Sequence, residues 1–161
     1  MYRQTLPFLV LLRIFSNLRT AEWQWSVEMK SGPAGETNNH PRAFLWIHSD
    51  CKQVRGIVVG MHNMQEEGIM EHPYFRKTMA ELGFAEIWIT PGLDPLFDPE
   101  KDSQIPFDEM LNSLADISGY SEIKYTPIIP IGHSAWATFP WNFAAWNPQK
   151  TLAALSIHGD A

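Results

Sequence analysis

The sequence predicts an α/β fold with a mostly parallel sheet and flanking helices. Short runs rich in β-branched residues alternate along the chain with segments in which apolar residues recur at helical spacing. Glycine and proline stand at the junctions between these segments, where helices end and turns begin. Such alternation is typical of strands joined by right-handed crossovers through helices.

The composition favours one globular domain. The chain has 161 residues, 45% of them hydrophobic, so a sizeable core can form. The net charge of -6 and the lack of a basic run argue against nucleic acid as a partner. Cys51 is the only cysteine, which excludes an intrachain disulfide and a zinc ion held by a cysteine cluster. We expect no cofactor.

Residues 1–20 have the pattern of a secretory signal peptide. A short basic start precedes the apolar run of residues 6–12, and a cleavage point is predicted between Thr20 and Ala21. An N-terminal extension and a membrane anchor are the alternatives, although the run is too short to span a bilayer. A signal peptide predicts a secreted or periplasmic protein, whereas an extension predicts a cytoplasmic one. The folded domain is predicted over residues 21–161.

The domain is predicted to begin with two antiparallel strands. Residues 22–29 alternate polar and apolar side chains, and residues 42–48 form a second strand pattern after a loop rich in glycine, proline and asparagine. The β-branched run of residues 56–61 predicts a strand buried on both faces. A polar loop is predicted to follow over residues 62–68.

A helix and a strand are predicted next. Apolar side chains recur at helical spacing over residues 73–83, with Pro73 suited to the first turn and Gly83 to the C-terminal cap. Residues 84–90 form the next strand pattern. Residues 93–104 hold two prolines and four acidic residues, which predict a surface loop. The spacing of the acids does not match a calcium-binding loop, so no metal is expected.

The last third of the chain continues the alternation. Apolar side chains mark one face of a helix over residues 107–117, and Gly119 is predicted to end it. The apolar run of residues 128–131 predicts a strand, which is followed by a helix to about Trp146. A final strand is predicted over residues 152–157.

The junction between the strand at residue 128 and the following helix carries an unusual turn. The strand runs into Gly132-His133-Ser134-Ala135, and a helix-compatible segment follows at once. A strand, a sharp turn with a serine and a helix together resemble the nucleophile elbow of the α/β-hydrolase family, whose pattern is G-x-S-x-G. Gly132 and Ser134 match this pattern, and Trp136 stands in place of the last glycine.

The resemblance extends over about residues 22–161 and implies a serine esterase site. Ser134 is the implied nucleophile, and a serine that caps a helix is the alternative interpretation. Ala135 would supply one backbone N–H of the oxyanion hole, and the loop that begins at His62 and Asn63 would supply the second. Each such donor contributes roughly 3–4 kcal/mol in acyl transfer.

The resemblance also implies an acid and a histidine that follow the serine along the chain. Some family members take their acid from the position of Asp160, and a turn aspartate is the alternative interpretation. His158 stands at the same strand end and is the weaker candidate for the base, because the family's histidine lies after a later strand. His133 is expected to be structural, and His62 is expected to line the pocket.

The family's last two strands have no counterpart in the sequence, so we expect a hydrolase-like fold that is incomplete at its C-terminal end. An incomplete triad predicts weak or absent esterase activity. The final strand would then be an open edge of the sheet, through which the protein could associate with itself.

The predicted function is that of a serine hydrolase-type protein that acts on a small-molecule or carbohydrate ester. The carbohydrate hypothesis depends on the predicted export signal and on Trp136, Trp141 and Trp146 near the serine, although these tryptophans could instead pack the helix on the sheet. The alternative is a non-catalytic exported binding or interaction protein on the same scaffold. No stable membrane span is expected.

Overall fold

The structure is a computed structural model, and it describes residues 23–29, 41–94, 97–98, 100 and 102–158. These residues form a sheet with helices on both faces. The predicted signal peptide over residues 1–20 lies outside them, and so does Asp160. Within them, no helix combines the length and the apolar character that a bilayer crossing requires.

Six strands form the sheet: β1 (Trp25–Glu28), β2 (Arg42–Trp46), β3 (Gly56–Met61), β4 (Phe84–Thr90), β5 (Ile128–His133) and β6 (Leu155–Ile157). Their order across the sheet is β1-β2-β4-β3-β5-β6. Strand β2 pairs antiparallel with β1 and β4, whereas β3 is parallel to β4 and β5, and β5 is parallel to β6. The sheet confirms the predicted fold class and the antiparallel entry.

Among the described residues, four α-helices cover the two faces of the sheet: α1 (Glu66–Met70), α2 (Pro73–Leu82), α3 (Gln104–Ser118) and α4 (Thr138–Trp146). Helices α1 and α2 pack Met70 and Met79 against one face, with Val58 of β3. Helices α3 and α4 pack a cluster of phenylalanines, including Phe107 and Phe143, against the other. The central strands of the sheet are therefore buried between two layers, as crossover connections require.

The helix ends follow the signals in the sequence. Pro73 is the first residue of α2, where its missing N–H costs nothing, and the His72 side chain accepts the N–H of Tyr74 at 3.2 Å. Gly83 and Gly119 end α2 and α3 in the left-handed conformation, with φ of 69° and 81°. Glycine adopts this conformation without steric cost. Both predicted helices are thus confirmed at their C-terminal ends.

The polar loop predicted over residues 62–68 is partly wrong, because it contains the start of α1. Glu66, the first residue of this helix, is completely buried, although its charge suggested a solvated position. Its carboxylate accepts backbone N–H groups, and these hydrogen bonds allow it to leave water. The last strand is also shorter than predicted, beginning at Leu155 rather than at residue 152.

The prediction that residues 93–104 form a surface loop is wrong for four of the described residues, which are buried. Leu93, Asp94, Phe97 and Ser103 are all buried. The Asp94 carboxylate accepts the Ser103 hydroxyl at 2.8 Å and the Asp98 N–H at 2.9 Å, so the polar groups of the loop are satisfied internally. Phe97 enters the phenylalanine cluster below α3 and α4.

A buried arginine–glutamate pair lies between α2 and the sheet. The Arg76 Nε atom is 3.5 Å from Oε2 of Glu86, whose side chain is completely buried on β4. The guanidinium carbon lies 4.9 Å from the ring centroids of both Trp23 and Trp46, and Nε donates to the carbonyl of Met70 at 3.2 Å. Burial raises the pKa of Glu86 to about 8, against the opposing effect of Arg76. Burial also lowers the pKa of Arg76.

Glu86→Gln is expected to remove most of the pH dependence of stability between about pH 5 and pH 8. Because the pKa of Glu86 rises from 4.5 to about 8 on folding, the folded protein keeps a proton that the unfolded chain releases in this range. The free energy of unfolding of the wild type should therefore fall as the pH rises, by up to about 1.4 kcal/mol per pH unit. Urea unfolding at several pH values measures this slope.

Glu81→Gln is the matched control, because Glu81 is an exposed glutamate on α2, the helix that carries Arg76. The free energy of unfolding of Glu81→Gln should depend on pH in the same way as that of the wild type. If the Glu86→Gln profile ran parallel to both, the proton uptake assigned to Glu86 would be wrong.

Candidate functional site

Ser134 occupies a sharp turn between β5 and α4. Strand β5 ends at His133, whose backbone is extended, and Ser134 then adopts a left-handed conformation with φ of 52°. A short 3₁₀ turn over Ser134–Trp136 leads into α4. A positive φ is uncommon for a residue with a side chain, and here it belongs to an exposed serine at the carboxyl end of a parallel strand. Ala135 beside it is also exposed, and its donor role stays a prediction.

Two glycines allow this turn to pack closely on the sheet. A Cβ on Gly132 would clash with the backbone carbonyl of Trp136, and a Cβ on Gly92 would clash with the indole of the same tryptophan. The Trp136 side chain is buried in the space that Gly92 leaves open, just past β4. The bulky residue in place of the pattern's last glycine is thus accommodated by a glycine elsewhere in the chain.

The loop after β3 uses its two candidate residues differently. The Asn63 side chain reaches the serine turn, where Nδ2 donates to the carbonyl of His133 at 2.7 Å. His62 donates its backbone N–H to the carbonyl of Ile89 at 2.7 Å, and its imidazole lies 6.0 Å from the ring of Trp88. Because the His62 N–H is already engaged in the sheet, Asn63 remains the loop's candidate for an oxyanion donor.

Two histidines lie together next to the serine turn. The imidazoles of His133 and His158 are 5.6 Å apart between ring centroids. The Nδ1 atom of His133 is buried and has no hydrogen-bond partner among the described residues. His158 is exposed immediately after β6, with a left-handed φ of 53°. The role of Asp160 as the acid stays a prediction, as does any base role for His158.

Glu66 is a residue of this site that sequence reasoning missed. Its Oε1 atom accepts the backbone N–H of His133 at 2.7 Å, and Oε2 lies 3.4 Å from the N–H of Gln65. The sequence offered one signal for Glu66, its place in the loop predicted to supply the oxyanion hole. Glu67 lies in the same loop, so this signal does not separate the two glutamates. In the part of the chain that the structure describes, no three histidine, cysteine or carboxylate side chains are arranged to hold a metal ion.

An apolar groove of about 710 Å³ opens beside the same loop. Its lining comes from the loop after β3, α1 and α2, and includes Met64, Ile69, Phe75 and Met79. Ser134 is not among its lining residues. The groove therefore borders the loop after β3 and does not define a substrate pocket over the serine.

The sequence itself matches no protein-family model and no curated protein. The structure is similar to that of an acetyl xylan esterase from Aspergillus awamori, with a TM-score of 0.51 and 17% identity over 81% of this chain and 50% of that one. This likeness and the order of the six strands decide the architecture. The chain has an α/β-hydrolase fold.

Two further α/β hydrolases are similar at lower scores. The fluorophosphonate-binding serine hydrolase F of Staphylococcus aureus gives a TM-score of 0.47 and 14% identity over 84% of this chain and 56% of that one. A soluble variant of monoglyceride lipase from Saccharomyces cerevisiae gives a TM-score of 0.44 and 16% identity, over 83% of this chain and 45% of that one. The chain thus spans about half the length of these solved structures. At these identities the likeness concerns the α/β-hydrolase fold alone.

Gly132→Ala is expected to destabilise the protein by about 3 kcal/mol, near the upper range for overpacking. The added methyl group would meet the backbone carbonyl of Trp136, which cannot move aside as a flexible side chain can. Thermal and urea unfolding measure the loss. Gly68→Ala is the control, because a Cβ at that glycine of α1 meets nothing within 4 Å. It should be neutral or stabilise by up to about 1 kcal/mol, and equal stability of the two variants would contradict the close packing at Gly132.

Proposed function

We propose that this chain is a serine hydrolase-type protein that acts on carboxylic esters. The observation that carries the proposal is the conformation of Ser134, an exposed serine with φ of 52° between β5 and α4 of an α/β-hydrolase fold. Acyl transfer requires a nucleophile that stands clear of the sheet with backbone donors close by. The turn at Ser134 supports this chemistry more directly than a helix-capping role, since the N-cap positions of the 3₁₀ turn and of α4 are held by His133 and Ala137, and neither makes a side-chain cap hydrogen bond.

In the proposed reaction, the Ser134 hydroxyl oxygen attacks the ester carbonyl carbon, the alcohol leaves, and water then hydrolyses the acyl-enzyme. The backbone N–H groups of Ala135 and Asn63 are proposed to stabilise the oxyanion. A base must take the hydroxyl proton and return it to the leaving alcohol. His158 and Asp160 are the candidates for the base and its acid partner.

Carbohydrate esters are the proposed substrate class within this function. Trp141 and Trp146 of α4 are each 60% exposed, so their rings are available for stacking on a sugar. Trp136, the third tryptophan near the serine, is buried against Gly92 and instead packs the serine turn. The name of the similar Aspergillus awamori protein, an acetyl xylan esterase, supports the same substrate class.

Reaction with a fluorophosphonate probe is expected to modify Ser134 in the wild type and to be abolished in Ser134→Ala. The probe reacts with activated serines, so modification reports an assembled nucleophile. Intact mass and peptide mapping measure the extent and the position of labelling. Ser113→Ala is the matched control, because Ser113 is an exposed serine of α3 whose hydroxyl donates to the carbonyl of Glu109.

The alternative function is a non-catalytic exported binding or interaction protein. A folded wild type that reacts no faster than Ser134→Ala would overturn the hydrolase proposal in favour of this alternative. Labelling of the wild type and Ser113→Ala at the same rate, with none in Ser134→Ala, is the result that the proposal requires.

Trp141→Ala and Trp146→Ala are each expected to weaken the binding of an acetylated xylo-oligosaccharide by about threefold to tenfold, the effect of losing one aromatic contact. Calorimetry on the Ser134→Ala background measures affinity without turnover. Tyr125→Ala is the control, because Tyr125 is an exposed aromatic residue before β5, at the opposite end of that strand from Ser134. Unchanged affinity in both tryptophan variants would contradict the proposal that the substrates are carbohydrate esters. It would not affect the proposal that the protein acts on carboxylic esters.

A further inference from the structure

We propose that Glu66 is a positioning residue for Ser134, and that it acts together with Asn63 by holding the backbone of His133. The inference rests on the proposed hydrolase function and adds to it a residue outside the implied triad. Oε1 of Glu66 accepts the N–H of His133, and Nδ2 of Asn63 donates to the carbonyl of the same residue, both at 2.7 Å. Both backbone polar groups of His133, the residue just before the serine, are therefore held by side chains.

These two side chains replace a missing part of the sheet. The pairing of β3 with β5 ends at Gly60 and Ile131, whereas β5 continues to His133. On its other side, β5 stays paired with β6 as far as His133 and Ile157. The β3 side of His133 would lack partners if the loop after β3 carried no suitable side chains, and buried backbone groups need partners. Glu66 and Asn63 supply them.

The geometry of each side chain is itself fixed. Oδ1 of Asn63 accepts the N–H of Met64 at 2.8 Å, which orients its amide so that Nδ2 faces His133. Glu66 is completely buried, and within the described residues it makes no ion pair, so N–H groups are its partners. Neither side chain can rotate away without leaving a polar group unsatisfied.

Holding His133 matters because Ser134 has an unfavourable backbone conformation. A serine at φ of 52° returns to an extended or helical conformation unless its neighbours prevent this. On the far side of the turn, the Ala137 N–H donates to the Ser134 carbonyl at 3.0 Å. On the near side, the hold of Glu66 and Asn63 on His133 fixes the end of β5 from which the turn begins.

The positioning role depends on the reach of Glu66 and not on its charge. A negative charge close to the serine opposes the negative charge that develops on the substrate oxygen during acyl transfer. Glu66→Gln keeps the length of the side chain and an oxygen acceptor but removes the charge. Glu66→Asp keeps the charge but is one methylene shorter. The two variants therefore separate positioning from electrostatics.

The test is the second-order rate of fluorophosphonate labelling of Ser134 in the full chain, measured well below the unfolding temperature of each variant. Glu66→Gln should react within about threefold of the wild type, whereas Glu66→Asp and Asn63→Ala should react about tenfold more slowly or worse, as expected for a misplaced nucleophile. Glu67→Ala, the neighbouring partly exposed glutamate, should react like the wild type. Wild-type rates for Glu66→Asp, or equal losses for Glu66→Asp and Glu66→Gln, would overturn the proposal.

Amide hydrogen exchange at His133 is a second measurement that does not depend on reactivity. The His133 N–H should be protected in the wild type and in Glu66→Gln, and it should exchange faster in Glu66→Asp. If the wild type does not label above Ser134→Ala, the hydrolase function fails while this measurement still decides whether Glu66 holds His133. Equal protection in all three proteins would show that it does not.

Discussion

The parallel pairing of β3 with both β4 and β5 is the constraint on which the rest of the structure depends. All six residues of β3 are buried, and the strand lies between its two parallel neighbours. The loop of residues 62–65 follows the carboxyl end of β3 and lies next to the end of β5. Residues far apart in sequence therefore meet at the carboxyl ends of these parallel strands. Because β5 extends beyond the last paired residue of β3, that end of the sheet has backbone groups that side chains of the loop and of α1 satisfy. The candidate site follows from this difference in strand length.

Two buried glutamates on the same face of the sheet show how burial has different consequences. Glu66 receives backbone N–H donors, so its oxygens keep hydrogen-bond partners after leaving water. Glu86 has the guanidinium of Arg76 nearby, yet its oxygens have no hydrogen-bond partner among the described residues, and burial raises its pKa. The first glutamate connects two backbone segments, whereas the second connects a helix to the sheet through Arg76 and the tryptophans around it.

Much of the fold could be predicted because its signals are local. The β-branched run of β3, Pro73 and Gly83 at the ends of α2, and the strand, turn and helix around Ser134 each depend on residues that are close in sequence. The burial of Glu66 and Phe97 could not be predicted, since it depends on partners brought in from other elements. The same holds for Trp136, because the space that it fills is provided by Gly92, and no local pattern relates the two.

The hydrogen bonds to the backbone of His133 connect the serine turn to side chains that lie much earlier in the sequence. The two hydrogen bonds join residues that are 67 and 70 positions apart. Contacts of such separation form only once the intervening chain has been gathered into the sheet, and they come at a cost in loop-closure entropy. The conformation of Ser134 is therefore a property of the assembled sheet and not of its own segment. A partly folded chain, in which β3 and β5 have not yet met, carries the same serine without the geometry that would make it a nucleophile.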